Sequence, residues 1–155
     1  MELILWRHAE AETGGPGTPD AARELTEKGR RQARKMAEWL NRILPDDCRI
    51  LSSPAMRTVQ TVEALGRKFK TDRALATDAS AEGILQAAGW PDAEGTVLVV
   101  GHQPTLGYVA SLLVAGEEQE WHLRKGSICW IASKADDEGD MPYLKAVLGA
   151  DLVNR

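Results

Sequence analysis

Two histidines and two arginines in this chain fall where a nucleophile and its anion clamps would be needed. Arg7-His8 closes the apolar run Leu3-Ile4-Leu5-Trp6, which aims a guanidinium and an imidazole outward from one strand tip. His102 ends a second apolar run, residues 96–100, within the tight turn Gly101-His102-Gln103-Pro104. Arg57 follows a third strand end at Ser52-Ser53-Pro54. A histidine so placed can attack phosphorus while arginine holds the phosphate oxygens. Taken alone, Arg7-His8 carries little weight, because His beside Arg is common on protein surfaces. The second histidine in an equivalent position is what makes it a signal.

The chemistry that suits this set is phosphoryl transfer. A phosphoryl group carries about two negative charges near neutral pH, and more charge develops on its equatorial oxygens in the transition state. Arg7 and Arg57 can bind those oxygens through planar forks, and a protonated His102 can add a third donor. His8 attacks in line and carries the phosphoryl group until water releases it. Preorganised donors of this kind are worth roughly 2.7–4 kcal/mol each. No metal and no cofactor is expected. A metal site built on His8 and His102 is disfavoured, since two histidines flanked by arginines repel a cation.

Those residues need elements to aim them. Residues 2–7 read as a strand covered on both faces, followed by a loop over residues 11–20 rich in Gly and Pro. Thr26 reads as the N-cap of a helix whose buried stripe is Ala33, Met36, Ala37, Leu40 and Leu44, with Arg30, Arg31, Lys35, Glu38 and Arg42 on the other side. Residues 48–51 form a second strand. Ser53 as N-cap and Pro54 as first helical residue start the next helix, with a stripe of Val59, Val62, Leu65 and Phe69. Arg57 then lies near backbone amides that favour anions. A strand or extended piece is expected at residues 73–76, a helix at 81–88 ending at Gly89, and the clearest buried strand at 96–100. Leu106, Val109, Ala110 and Leu113 face inward from the helix after it. Residues 127–132 and 143–148 flank an acidic turn region at 136–140 and read as a hairpin or antiparallel edge pair.

Strands alternating with helices imply an α/β fold, a three-layer α/β/α sandwich with a mostly parallel central sheet and an antiparallel edge near the C-terminus. Ligands in such sheets bind at the carboxyl ends of the strands. Arg7, His8, Arg57 and His102 therefore belong to one rim. With 155 residues and no internal repeat or linker, the chain is expected to be one domain, residues 1–155.

Composition narrows the classes further. With 43% hydrophobic and 27% charged residues and a net charge of -4, the chain has a globular make-up and lacks the basic balance of a nucleic-acid binder. Cys48 and Cys129, far apart and without metal spacing, read as buried thiols of a reducing compartment. No leader pattern or bilayer-length apolar stretch is present, so the expected address is the cytoplasm and no membrane partner is expected.

The segments Leu-Trp-Arg7-His8-Ala9-Glu10-Ala11, Ser52-Ser53-Pro54-Ala-Met-Arg57-Thr-Val-Gln60-Thr61 and Val100-Gly101-His102-Gln103-Pro104 resemble the histidine phosphatase superfamily, whose fold is phosphoglycerate-mutase-like. The Arg-His-Ala-Glu-Ala form and the short length look most like its SixA-type phosphohistidine phosphatase branch. The resemblance implies that Arg7, His8, Arg57 and His102 form the pocket, with His8 the phosphorylated residue. Ala9 departs from the glycine of many members. Larger members carry a lid with a carboxylic general acid, whereas the candidates here are Asp78, Glu82, Asp92 and Glu94, with Glu82 the best placed and surface charge the simpler reading of each.

A weak acid supply favours a substrate that leaves without one. The imidazole of a phosphohistidine departs with a ring pKa of about 6.5, whereas an alkoxide needs a proton. The expected substrate is a phosphohistidine protein or peptide. The alternatives are a small phosphate ester and a non-catalytic phosphate-binding domain, against which an intact nucleophile speaks. His122 matches no motif and reads as structural or exposed. Glu10 and Glu12 read as loop residues, and Gln103 as a cap for the following helix. Trp6, Trp39 and Trp130 read as core, while Trp90 and Trp121 are open to a docking surface.

Overall fold

The computed structural model describes residues 1–136 and 139–153. In chain order the elements are β1 (Glu2–Arg7), α1 (Glu27–Ile43), β2 (Arg49–Ser52), α2 (Met56–Glu63), β3 (Lys70–Thr71), α3 (Ala81–Ala88), β4 (Thr96–Gly101), α4 (Thr105–Ala115), β5 (Ile128–Asp136) and β6 (Gly139–Leu148). They build one sheet in the order β3-β2-β4-β1-β5-β6. The first four are parallel, and β5 and β6 add an antiparallel edge. The sandwich expected from the alternation of elements is what forms, and β5 pairs with β6 as the hairpin reading requires. Asp137 and Glu138, within the acidic turn, lie outside the described residues.

Alternation along the central strands sorts the core into two layers. Leu3, Leu5, Val97 and Val99 pack toward α3 and α4, against Ile84, Ala88, Leu106, Val109 and Ala110. Ile4, Trp6, Leu98 and Val100 pack toward α1 and α2, against Met36, Ala37, Leu40 and Val62. Central strands covered on both sides read as continuous apolar runs, and these are fully buried. Trp6 donates Nε1–H to the Gly126 carbonyl at 3.1 Å, which ties β1 to the segment entering β5. Trp39 is half-buried and meets Trp130 edge-on. Trp90 and Trp121, open to a docking role on sequence grounds, are half-buried against the α3 and α4 layer. Cys129 is buried, but Cys48 is only half-buried, since it precedes β2 at the sheet margin.

Three local expectations differ from the structure. The second helix starts at Met56, not Pro54, and its N-cap is Ala55 in extended backbone. Ser53 stays with the sheet, its N–H donating to the Val100 carbonyl at 3.0 Å, and its hydroxyl accepts from Ala55 N–H at 3.2 Å. That helix also ends at Glu63, because Ala64, Leu65 and Gly66 bond three residues back and Gly66 is left-handed (φ 67). Leu65 is buried beyond the helix, and Phe69 is half-buried further on. Residues 73–76 are not a strand. The strand is Lys70–Thr71, after which the Asp72 carboxylate accepts from Ala74 N–H at 2.8 Å and pulls the chain into a short 3-10 turn that buries Leu75.

The first helix begins as its sequence predicts, with the Thr26 hydroxyl accepting from Gly29 N–H at 2.9 Å. Gly29 has a second task. A Cβ there would collide with the Glu10 carbonyl, so the helix start can approach the loop after β1 only if residue 29 has no side chain. Gly29→Ala is expected to cost about 2 kcal/mol as an overpacking substitution. Thermal unfolding will register it as a drop in Tm of roughly 4–8 °C.

Candidate active site

Strand register brings the site residues together. Arg7 pairs with Gly101 across β1 and β4, and Ser52 with Val100 across β2 and β4. His8, Ser53 and His102 therefore leave three neighbouring strands at one level, with His8 N–H still donating to the Gly101 carbonyl at 3.1 Å. The imidazole centroids of His8 and His102 stand 5.4 Å apart, inclined at 57°. Arg57 joins from the first turn of α2. All four predicted residues line one cavity of about 190 Å³. Arg23 and Lys125 also line it, with Ala11, Thr77 and Gln103. A larger groove of about 710 Å³ lies at the sheet margin beside Cys48 and Phe69 and contains none of these groups.

His8 is held in one chemical form. Its Nδ1 lies 2.7 Å from the Ala9 carbonyl, and a carbonyl can only accept, so the ring proton sits on Nδ1 and the lone pair on Nε2. The loop that makes this bond is itself fixed. Ala9 N–H donates to the Thr61 hydroxyl at 3.1 Å, which in turn donates to the Arg57 carbonyl at 2.7 Å. Glu10 N–H donates to Gln32 Oε1 at 2.9 Å, and Gly126 N–H to the His8 carbonyl at 3.0 Å. The Glu10 carboxylate accepts from the Thr26 hydroxyl at 2.7 Å and so braces this loop. With alanine at position 9 the loop closes, because both backbone groups of Ala9 are engaged and its methyl packs with Leu25 and Ala33.

The two arginines are clamped from outside the cavity. Arg57, 3% exposed, donates Nη1–H to the Asp20 carbonyl at 2.9 Å and Nη2–H to its carboxylate at 3.1 Å. The same carboxylate accepts from Arg23 Nε at 3.0 Å. Arg7 donates Nη1–H to the Leu123 carbonyl at 2.8 Å. In both guanidinium groups Nε is buried and has no partner within the protein, as does Nδ1 of His102. Among the described residues, three of the four buried side-chain nitrogen or oxygen atoms without a partner thus belong to residues that line this cavity. A buried donor left unmatched costs about 1–3 kcal/mol, and the group that could satisfy all three is an oxyanion.

Electrostatics agree with that reading. Burial pushes His8 down to about 4; the bond to the Ala9 carbonyl opposes the shift, and the charges of Arg57, Arg7 and Arg23 add to it. Burial, then Arg57 and His8, push His102 down to about 3. With only protein groups around it, His102 is neutral at pH 7, contrary to the protonated donor expected from sequence. Two nearby guanidinium groups disfavour a third cation. The bond from Arg57 holds the Asp20 carboxyl below its ordinary value, so this carboxylate is ionised.

None of Asp78, Glu82, Asp92 and Glu94 lines the cavity, and Glu82 is exposed in the first turn of α3. His122 is exposed. Gln103 does support the following helix, its Oε1 accepting from Gly107 N–H at 2.9 Å while Nε2 donates to the Trp121 carbonyl at 2.9 Å. Among the described residues no group of three or more His, Cys, Asp or Glu side chains could hold a metal ion, and no helix is long and apolar enough to cross a membrane. Asp20, Arg23, Thr61 and Lys125 were not picked out by spacing. Thr61 was legible only as part of the motif after Arg57, and nothing in the local pattern marks Asp20.

Comparison with known proteins gives a consistent answer. The model of the histidine phosphatase superfamily (branch 1) matches residues 3–82. The phosphohistidine phosphatase SixA of Escherichia coli K12 is 30% identical over 125 residues, 76% of each chain. An uncharacterised protein of Picosynechococcus is 32% identical over 147 residues, 87% of each chain. Among solved structures, a SixA from Agrobacterium tumefaciens, inferred to be a phosphohistidine phosphatase, superposes with a TM-score of 0.78 at 25% identity, covering 96% of this chain and 97% of its own. A SixA solved with tungstate shares the fold at a TM-score of 0.75 and 23% identity, covering 97% of this chain and 98% of its own.

The depressed histidines carry a stability consequence. Their folded values, about 4 and about 3, lie below the ordinary 6.5. Between about pH 4 and about pH 6.5 the unfolded chain therefore binds more protons than the folded one, so stability rises with pH across that window. Thermal melts are expected to show Tm falling as pH drops from about 6.5 toward about 4. His8→Ala and His102→Ala should each flatten that slope.

Proposed function

This chain belongs to the histidine phosphatase superfamily and is a phosphatase of that class, and from that premise we propose that it hydrolyses phosphohistidine on proteins through a phosphoenzyme at His8. The observation that carries the reading is the set of unpartnered buried nitrogens, Arg7 Nε, Arg57 Nε and His102 Nδ1, on three residues that line one cavity with His8. His8 Nε2 attacks phosphorus in line; the Nε2–P bond forms as the bond from phosphorus to the substrate ring nitrogen breaks. A phosphohistidine ring protonated on its other nitrogen takes the bonding pair and leaves as neutral imidazole. Water then attacks the phosphorylated His8, releasing phosphate and returning the Nε2 lone pair. Arg7, Arg57 and His102 hold the phosphoryl oxygens through both steps.

The substrate class follows from the leaving group. An alkoxide needs a proton delivered as it departs, and among the described residues no carboxyl group lines the cavity. Asp20, the nearest carboxylate to Arg57, is ionised and committed to Arg57 and Arg23. An imidazole leaving group needs no such acid. The relatedness to the Escherichia coli SixA supports the same choice. We further propose that the chain acts as a single domain, without a metal or other cofactor, on cytoplasmic phosphoproteins.

Turnover of a phosphohistidine peptide and of a panel of sugar and nucleotide phosphate esters should be compared side by side, with His8→Ala as the blank. The peptide is expected to be the better substrate by kcat/KM, and Arg57→Ala to lower its kcat by about 10²–10³, the loss typical of one preorganised oxyanion donor. Faster cleavage of the esters would reject the phosphohistidine assignment.

A further inference from the structure

We infer that Ser53 is a positioning residue that fixes the tautomer of His102, so that His102 meets a phosphoryl oxygen as a neutral Nδ1–H donor. Ser53 is fully buried at the end of β2 and His102 is 4% exposed. Ser53 Oγ lies 2.8 Å from His102 Nε2. The same oxygen accepts from Ala55 N–H at 3.2 Å, and it has no third partner among the described residues.

Two proton arrangements are open to this pair. In the first, His102 carries its proton on Nε2 and donates to Ser53. The serine proton is then buried without an acceptor, and a bare Nδ1 lone pair is left facing the phosphoryl oxygens. In the second, Ser53 accepts from Ala55, donates its own proton to Nε2, and leaves the proton of His102 on Nδ1. Every group of the pair is then matched except Nδ1–H, the buried atom of this cavity-lining residue that has no partner within the protein. Leaving a buried hydroxyl proton unmatched is the costlier choice. Arg7 and Arg57 supply cations on the same cavity wall, so a donor that needs no added charge is also the one this field favours.

One consequence reaches the chemistry. A neutral ring that uses its single proton to hold a phosphoryl oxygen has none to give a leaving group. His102 on this account binds and does not act as general acid, which again selects a leaving group that departs unaided. The inference rests on reading the cavity as a phosphoryl site, but the tautomer is a property of the protein by itself.

Long-range proton–nitrogen correlation spectra of the ¹⁵N-labelled protein at neutral pH report which ring nitrogen bears the proton. Nδ1–H on a neutral His102 is expected, and in Ser53→Ala the His102 pattern should change while that of His8 stays. Nε2–H or an imidazolium at His102 in the unmodified protein overturns the inference. Titration with inorganic phosphate gives a second readout: Ser53→Ala should bind about tenfold more weakly, the loss of one oriented hydrogen bond, with Ser53→Thr restoring much of it. Equal affinity of Ser53→Ala and the unmodified protein also overturns it. If the unmodified protein binds no phosphate, the phosphoryl-site reading fails instead, and the spectra still decide the tautomer.

Discussion

The bond of 2.7 Å between His8 Nδ1 and the Ala9 carbonyl is the contact on which the proposed chemistry depends. It puts the ring proton on one nitrogen and leaves the lone pair on the other. A bond to the next residue's carbonyl is local, yet the carbonyl is held in place by distant parts of the chain. Thr61 of α2, Gln32 and Thr26 of the α1 region, and Gly126 before β5 each hold the backbone or side chains of residues 8–10. The close approach allowed by Gly29 completes the support. A short loop so restrained carries the imidazole with little freedom to turn, which is what the proposed in-line attack requires.

Charge is the second constraint. Arg7 and Arg57 stand beside two imidazoles in a partly desolvated site, and one ionised carboxylate, Asp20, answers Arg57 and Arg23 together. Burial does most of this, and the neighbouring guanidinium charges add to it, so both histidines are driven neutral. A neutral His8 at pH 7 is the form the proposed attack requires. Asp20 occupies the Nη ends of Arg57, while its buried Nε has no partner within the protein. Arrangement of donors in advance of the charge that develops is where most of the rate enhancement at such a site arises.

Much of this was legible in the chain because it depends on adjacency to strand ends. An apolar run followed by Arg7-His8, another followed by Gly101-His102, and Arg57 just after Ser52-Ser53-Pro54 place the chemistry at one rim once parallel pairing is assumed. Register is what the sequence could not state. That Arg7 faces Gly101, and Ser52 faces Val100, decides that His8, Ser53 and His102 are neighbours. Asp20 lies in a loop whose Gly and Pro content signals irregular backbone but not its destination. Ser53 reads as an N-cap, and its hydroxyl does turn to Ala55 N–H, but its other partner comes from β4 and is set by tertiary structure. The strand misplaced at residues 73–76 and the overlong second helix failed for related reasons, a side-chain cap at Asp72 and a run of tight turns ending at Gly66.

The most direct test of the account is the position of the phosphoryl group in the trapped phosphoenzyme. After rapid quenching at alkaline pH, which spares acid-labile phosphoramidates, tandem mass spectrometry locates the modified residue, and phosphorus–nitrogen couplings distinguish the two ring nitrogens. Phosphorylation of His8 at Nε2 is the predicted result. Label on His8 Nδ1, on His102, or on neither histidine while turnover proceeds contradicts the account.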